Sequence, residues 1–260
     1  MSQGTDRRKG ALDAVTTWAA KGGRCGATMR DFMKTKLFAA AAMMAVATFA
    51  TPAQAADDGK WEVKVLGTAV LPDGKISEVK SIASSLSSMA AFASPQTKAS
   101  DNYVPTVAVE YYFSPSVSLE TICCTTKHHV DGRGSLAGTN LVNSILIVPA
   151  TFTFKYHLPA GPIRPYVGAG PAFFWVLDKT PGATATALGV TQVKMSSEFG
   201  AAVQAGADIP LGAGGMGLTL DAKKYWVSTN AHFLAGSSEV LVTRHKLDPW
   251  VLSAGAYFRF

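Results

Sequence analysis

The sequence predicts an all-β protein: an eight-stranded antiparallel transmembrane β-barrel with short periplasmic turns and long extracellular loops. The first observation is the stretch from Trp250 to Phe260, where the even positions are apolar and the odd positions are mixed. This period of two is typical of a strand, and it fits a barrel-closing strand whose apolar face meets lipid. Alone, the stretch fits the last strand of a soluble sandwich equally well. An export signal and the lengths of the connections favour the barrel.

The export signal is a secretory signal peptide predicted over residues 33–55. Lys34 and Lys36 form its basic region, residues 37–49 are apolar, and Ala53-Gln54-Ala55 fits a cleavage site. The apolar run has thirteen residues, too few to span a bilayer. We interpret residues 1–32 as a non-native or mis-assigned extension, with translation starting at Met29 or Met33. N-terminal sequencing of the precursor that returned Ser2 or Gly4 would contradict this start.

Removing the signal changes the charge balance. The chain has 24 Lys and Arg against 18 Asp and Glu, but residues 56–260 have 16 against 15. Most of the excess of basic over acidic residues therefore lies in the removed part, and we expect no nucleic-acid partner. The remaining 205 residues suit one domain. Adjacent Cys123 and Cys124 are interpreted as small apolar fillers, and no metal or cofactor is expected.

Alternation of apolar and polar residues predicts eight strands in this domain. They span residues 61–71, 103–113, 117–127, 145–158, 163–177, 197–209, 216–227 and 250–260. Their connections alternate between short turns and long loops, as in outer-membrane barrels. A soluble lipocalin-like barrel would also alternate, but its outer face would be polar. Here the more apolar face ends in aromatic residues, as an interfacial girdle requires: Trp61, Tyr111, Phe113, Tyr156, Trp175, Phe258 and Phe260.

The first long loop has a pattern of its own. Apolar residues recur at intervals of three and four, which predicts an amphipathic helix that would cover the barrel mouth. These residues are Ile76, Val79, Ile82, Leu86 and Met89. The Ser-rich composition of the same loop equally fits a mobile solvated segment.

The sequence resembles the OmpW family of outer-membrane proteins. The resemblance rests on residues 164–170 (RPYVGAG), the glycine and alanine run of residues 200–206, residues 247–250 (LDPW) and residues 257–260 (YFRF). It implies a barrel in the outer membrane of a Gram-negative bacterium, with a narrow hydrophobic channel linked to the passage of small hydrophobic molecules. The expected partners are outer-membrane lipids and lipopolysaccharide, small hydrophobic ligands, and the barrel assembly machinery, which would read Phe258 and Phe260 as an assembly signal.

The inward face of the predicted strands divides into two halves. The periplasmic half receives charged residues that we expect to pair as an ionic plug, since buried charges persist only when paired. The plug comprises Glu62, Lys64, Glu110, Glu120, Lys155, Arg164, Asp208 and Arg259. The outer half receives the residues expected to line the hydrophobic channel: Leu66, Val70, Val104, Ile122, Ile145, Ile147, Phe174, Val176, Leu247 and Val251. Lys223 and Glu198 are exceptions in the outer half, and Asp221 is ambiguous.

Eight strands leave an interior that side chains fill, so no open water pore is expected. Because the ionic plug would block straight-through passage, a hydrophobic molecule would have to leave sideways between strands into lipid. Pro165, Pro171 and Pro249 lack ladder donors and mark weak seams, or else they only bend the strands. The alternative function is a structural or surface-interaction barrel whose long loops serve as an adhesin or as a receptor for phage or bacteriocin. An enzyme is not expected, because His157 has no evident Ser partner and His128-His129 reads as a pair of solvated loop residues.

Overall fold

The computed structural model describes residues 59–158 and 162–260, so the predicted signal peptide and the preceding extension lie outside the described residues. The chain is built almost wholly from strands. They are β1 (Trp61–Leu71), β2 (Lys75–Ile82), β3 (Pro95–Ala99), β4 (Asn102–Ser114), β5 (Val117–Cys123), β6 (Thr126–Gly134), β7 (Asn140–His157), β8 (Arg164–Pro181), β9 (Gln192–Met195), β10 (Glu198–Pro210), β11 (Met216–Trp226), β12 (Ser228–Ala235), β13 (Ser238–Lys246) and β14 (Trp250–Arg259). Two short helices, α1 (Ser84–Ser87) and α2 (Ala183–Ala187), and a 3-10 turn (Ala90–Phe92) interrupt them.

The predicted barrel is confirmed. Eight of the strands described above, β1, β4, β5, β7, β8, β10, β11 and β14, pair antiparallel in a closed ring. The closing pair is β14 with β1, where Phe258 lies opposite Val63. Closure leaves no free barrel edge, so the backbone hydrogen bonds of the spanning strands are made within the protein. In the described residues, no helix is long and apolar enough to cross a bilayer.

The two faces of each strand follow the predicted alternation. On β1, Glu62, Lys64 and Leu66 are buried inside the barrel, whereas Trp61 is about half exposed. Large aromatic side chains cover the outside in the same way, among them Phe154, Trp175 and Phe199. A polar interior and an apolar exterior are what a bilayer-spanning barrel needs.

The long connections are mostly strands, which corrects the prediction of loops. β2, β13, β12 and β9 form a four-stranded sheet, and β6 pairs with the outer part of β7 and with β3. We call these strands the outer extension. Alternation also governs them, since Thr229, Ala231 and Phe233 on β12 are buried. The third predicted strand, residues 117–127, is divided in the structure: β5 ends at Cys123, and β6 begins at Thr126.

The helix predicted in the first loop is wrong. Lys75–Ile82 is instead strand β2, paired with β13, and the only helix in this segment is the four-residue α1. The pairing gives the backbone of β2 hydrogen-bond partners along its length, whereas α1 has no side-chain N-cap. Leu86 and Phe92 from this segment are nevertheless buried in the main apolar core.

Two glycines shape the periplasmic half of the barrel interior. Tyr166 lies opposite Gly206 on the neighbouring strand, and Tyr257 lies opposite Gly217. A Cβ atom at either glycine would overlap the tyrosine ring, so each ring packs flat on bare backbone.

Candidate functional site: an apolar cavity above an ionic plug

The charged residues of the periplasmic half meet inside the barrel. Lys64 Nζ lies 2.9 Å from Glu110, 3.2 Å from Glu62 and 3.2 Å from Glu120, and Lys155 Nζ lies 2.7 Å from Glu110 and 3.0 Å from Glu120. All these side chains are at most 2% exposed. Every lysine thus faces two or more carboxylates, which is the arrangement that keeps buried charge tolerable.

The remaining predicted plug residues lie around this centre. Asp208 is buried 3.6 Å from Lys64, and the Arg259 guanidinium stacks 3.7 Å above the Tyr112 ring. Arg164 is half-buried. The structure therefore brings the predicted charged residues together at one end of the barrel interior.

Lys223 also belongs to the plug, which corrects its assignment to the outer half, and Asp221, which the sequence left ambiguous, lies there too. Lys223 Nζ donates to Glu120 at 2.9 Å and to Asp221 at 2.7 Å, and Gln204 donates to the same two carboxylates. The strand register alone places Lys223 higher in the barrel. Its long side chain reaches down to the carboxylates, and alternation in the sequence carries no signal of that reach.

His157 has a serine neighbour, contrary to the sequence interpretation. Ser118 Oγ lies 2.9 Å from His157 Nε2, because Ser118 on β5 lies opposite Lys155 and is thus diagonal to His157. Glu110 Oε1 lies 2.8 Å from the same Nε2 atom. A catalytic triad would hydrogen-bond an acid to the other ring nitrogen, Nδ1. The Asp208 carboxylate lies 4.0 Å from Nδ1, too far for a hydrogen bond, so the cluster lacks the hydrogen-bonded triad and is part of the buried polar network.

Above the plug the barrel interior becomes apolar. Leu66, Ala108 and Ile122 form a small cluster directly in the barrel, and a larger core continues into the outer extension. Within this core lies a cavity lined almost wholly by apolar side chains.

The cavity wall combines predicted and unexpected residues. Seven of the ten predicted lining residues form part of it: Val70, Ile122, Ile145, Ile147, Phe174, Leu247 and Val251. Leu66 lies in the cluster below, whereas Val104 and Val176 pack in the core beside the cavity. The other part of the wall comes from the outer extension, including Ala231, Phe233 and Leu241. The alternation of apolar and polar residues within residues 228–246 could have identified these wall residues of the outer extension.

Two buried histidines stand in this wall, although His128 was interpreted as a solvated loop residue. His128 on β6 is 5% exposed and His245 on β13 is 6% exposed. Burial lowers the pKa of both imidazoles, partly offset by hydrogen bonds to the carbonyls of Ser100 and Gly74. His128 lies on strand β6 opposite Ile145 of β7, just before a register shift toward Val130, and its side chain points inward. His129, its neighbour, faces outward 3.3 Å from Asp131.

One seam in the barrel wall adjoins the cavity. The β4–β5 ladder ends where Val107 lies opposite Cys123, although β4 continues outward to Asn102. Beyond Cys123 the chain leaves β4 and continues into β6. At the outer end of the seam, the side-chain amide of Asn102 on β4 donates to the Lys127 carbonyl on β6 at 2.8 Å. Of the three prolines predicted to mark weak seams, Pro165 and Pro171 lie in strand β8, which pairs with β10 at both positions, and Pro249 lies just before β14.

No group of three or more His, Cys, Asp or Glu side chains in the described segments is arranged to hold a metal ion.

Comparisons with known proteins agree with this architecture. The sequence profile described as "OmpW family" matches residues 57–260. The uncharacterized outer-membrane protein y4mB of Sinorhizobium fredii is 28% identical over 217 residues, covering 81% of this chain and 84% of that protein. The crystal structure of the outer membrane protein OprG from Pseudomonas aeruginosa superimposes with a TM-score of 0.64 at 21% identity, covering 80% of this chain and 98% of that one.

A second similar structure is the solid-state NMR structure of outer membrane protein AlkL in DMPC lipid bilayers. Its TM-score is 0.60 at 21% identity, and the match covers 78% of this chain and 90% of AlkL. At this identity the two structures show the fold alone, and the family follows from the sequence profile. The chain described here therefore belongs to the OmpW family and is an outer-membrane β-barrel protein of a Gram-negative bacterium.

Proposed function

We propose that this barrel is a narrow hydrophobic channel through which small hydrophobic molecules cross the outer membrane. The observation that carries the proposal is the apolar cavity in the outer half, which is closed at its base by the paired charges of the plug. A ligand that buried about 150 Å² of apolar surface there would gain roughly 4 kcal/mol from leaving water. Binding of this strength is weak enough to allow release.

The exit is proposed to be lateral. The plug blocks the axial route, because a molecule that passed would separate buried ion pairs at a cost of several kcal/mol. The seam between β4 and the start of β6 offers an alternative. The inner side of the seam faces the cavity, which is lined there by Ile122, Cys124 and Thr126. On the outer side, the Tyr103 side chain of β4 is 75% exposed. A molecule leaving here would enter the hydrocarbon directly.

The chemistry proposed is passage without catalysis. Ser118 and Glu110 share one nitrogen of His157 inside the plug, and no cavity-lining side chain in the described residues belongs to that cluster. Hydrolysis of lipid esters by the purified protein would contradict this part of the proposal.

Uptake by whole cells tests the function with a matched pair of variants. Ile145 lines the cavity, whereas Leu146 beside it is half-buried on the opposite face. We expect Ile145→Trp to fill the cavity and to reduce toluene uptake to the level of cells without the protein. Leu146→Trp should leave uptake near wild type. Toluene uptake is measured as conversion by a cytoplasmic oxygenase, and equal uptake by both variants and wild type would contradict the proposal.

Cross-linking the seam tests lateral exit. Continuing the β4–β5 register places Val104 opposite Thr126. We expect a disulfide between Val104→Cys and Thr126→Cys, in a background with the native cysteines replaced by alanine, to slow uptake while toluene binding persists. Reducing the same protein is the control and should restore uptake. Uptake that stays unchanged in the oxidised protein would favour an axial route.

A further inference from the structure

Two lysines lie side by side at the base of the outer extension. Lys75 on β2 is directly opposite Lys246 on β13, and both side chains are exposed on the outer face of the sheet. Their neighbours Ile76 and His245 point the other way and are buried. Like charges directly opposite each other in an antiparallel pair repel and destabilise the sheet. An anion bound between the two ammonium groups would relieve this repulsion.

A third lysine lies just below this pair. Lys224 on β11 is opposite Trp250 on β14, and its Nζ atom lies 5.3 Å from the centre of the Trp250 ring. Four residues after Lys224, Ser228 is opposite Lys246, so the three lysines lie on adjoining strands of one outward face. We call Lys75, Lys224 and Lys246 the lysine patch.

The nearby acidic residues leave the lysine patch with a net positive charge. The Asp73 carboxylate lies 3.1 Å from Lys75, and the Asp248 carboxylate accepts a backbone N–H at 2.9 Å. The next charged pair outward, Glu78 opposite Arg244, is neutral as a whole. Three ammonium groups thus stand against two carboxylates.

The lysine patch lies at the level of the lipid headgroups. Trp250 and Trp226 are half exposed at the outer ends of β14 and β11, where aromatic residues mark the boundary of the hydrocarbon. Lys224 lies beside them, and the other two lysines lie just beyond, on the outer extension. A lipid in contact with this face would place its chains against the tryptophans and its headgroup against the lysines.

We propose that the lysine patch binds the phosphate groups of a lipopolysaccharide molecule in the outer leaflet, with its acyl chains packed on Trp250 and Trp226. The lipid A part of this molecule carries phosphates directly beside its acyl chains. It therefore offers an anion and an apolar surface in the order that this face presents them. A free phosphate ion would match the lysines alone. Because the lysine patch does not line the cavity, this inference is independent of the channel.

The test measures binding of lipid A with and without its phosphates. The full chain is expressed in a Gram-negative host, purified from the outer membrane and washed in neutral detergent. Lipid A is then titrated without divalent cations, which would bridge its phosphates to carboxylates, and bound lipid is counted by native mass spectrometry. We expect Lys75→Gln/Lys246→Gln to weaken binding of phosphorylated lipid A by about 5- to 25-fold, since each lysine near a lipid surface contributes about fivefold. Binding of dephosphorylated lipid A should stay within about twofold of wild type.

The matched control is Lys80→Gln/Lys194→Gln, which removes two exposed lysines from the same sheet. These lysines lie four or five residues farther out along the strands, or roughly 13–16 Å, which exceeds the screening length of about 10 Å. We expect this variant to bind phosphorylated lipid A as the wild type does. An equal loss in both double variants would overturn the inference.

A second variant and a competitor complete the test. Lys75→Arg/Lys246→Arg keeps both charges and should retain binding, which also covers a failure of the glutamine variant to fold. Loss of binding in the arginine variant, or equal binding of lipid A with and without phosphates by the wild type, would overturn the inference. So would displacement of lipid A by an equal concentration of inorganic phosphate, since the lysines would then serve a soluble anion.

Discussion

At the scale of single residues, the plug depends most on Glu120. Its carboxylate accepts hydrogen bonds from Lys155, Lys223 and Gln204 and lies 3.2 Å from Lys64. Three buried lysines therefore surround the Glu120 carboxylate, and its negative charge stabilises their positive charges. A buried ion that loses its partner cannot recover the hydration it gave up on folding.

Replacing Glu120 should therefore destabilise the barrel strongly. We expect Glu120→Gln, which keeps the size and removes the charge, to lower the free energy of unfolding by about 3–5 kcal/mol. The measurement is urea-induced unfolding of the protein in lipid vesicles. Glu78→Gln on β2, where the side chain is exposed, serves as the control and should change stability by less than about 0.5 kcal/mol. Equal effects of the two changes would mean that the plug contributes little to stability.

The sequence predicted much of the plug because a strand's period of two assigns each charge to a face. Glu62, Lys64, Glu110 and Glu120 were found in this way, and all lie inside. Lys223 was misplaced because a lysine side chain extends over several residues along the barrel axis, and alternation reports only the position of its Cα atom. The contact between Ser118 and His157 was missed because it depends on the diagonal register of β5 and β7.

At the scale of elements, a small polar cluster in the cavity wall connects strands of the outer extension. His245 on β13 contacts the hydroxyls of Thr243 and Thr97, so it joins the four-stranded sheet to β3. Thr229 of β12 and Ile76 of β2 flank it in register. Burial lowers the pKa of His245, and no acidic side chain in the described residues contributes to the shift.

This cluster should make the outer extension sensitive to acid. Because the folded-state pKa of His245 lies below the unfolded value of 6.5, the open state binds the proton more readily. The closed form is thus fully stable above about pH 6.5 and loses stability as pH falls through the lowered pKa. We expect hydrogen exchange of β3 and β13 amides, corrected for intrinsic rates, to accelerate between pH 7 and pH 5.

The controls for this prediction are two histidine variants. His245→Gln should remove most of the pH dependence of the β13 amides. His232→Gln should not, because His232 is only partly buried and pairs with Glu239 at 2.8 Å. If exchange in β13 responds to pH equally in both variants, another group controls the opening.

At the scale of the whole molecule, the cavity lies where the barrel and the outer extension meet. The barrel strands supply residues such as Phe174 and Val251, and the extension supplies Phe233 and Leu241. The sequence predicted the barrel part, because long alternating strands bounded by turns are its strongest pattern. It missed the part from the extension, since short bulged strands such as β12 resemble loops in composition.

The most direct test of the account is to locate a hydrophobic ligand in the protein. A crystal grown with 4-bromotoluene would show the bromine by anomalous diffraction. We predict a bromine peak inside the barrel, in contact with Ile145, Phe174 and Val251, and its loss in Ile145→Trp. Bromine peaks confined to lipid-facing residues such as Phe199 and Trp175, with an empty interior, would contradict the claim that the cavity binds hydrophobic molecules.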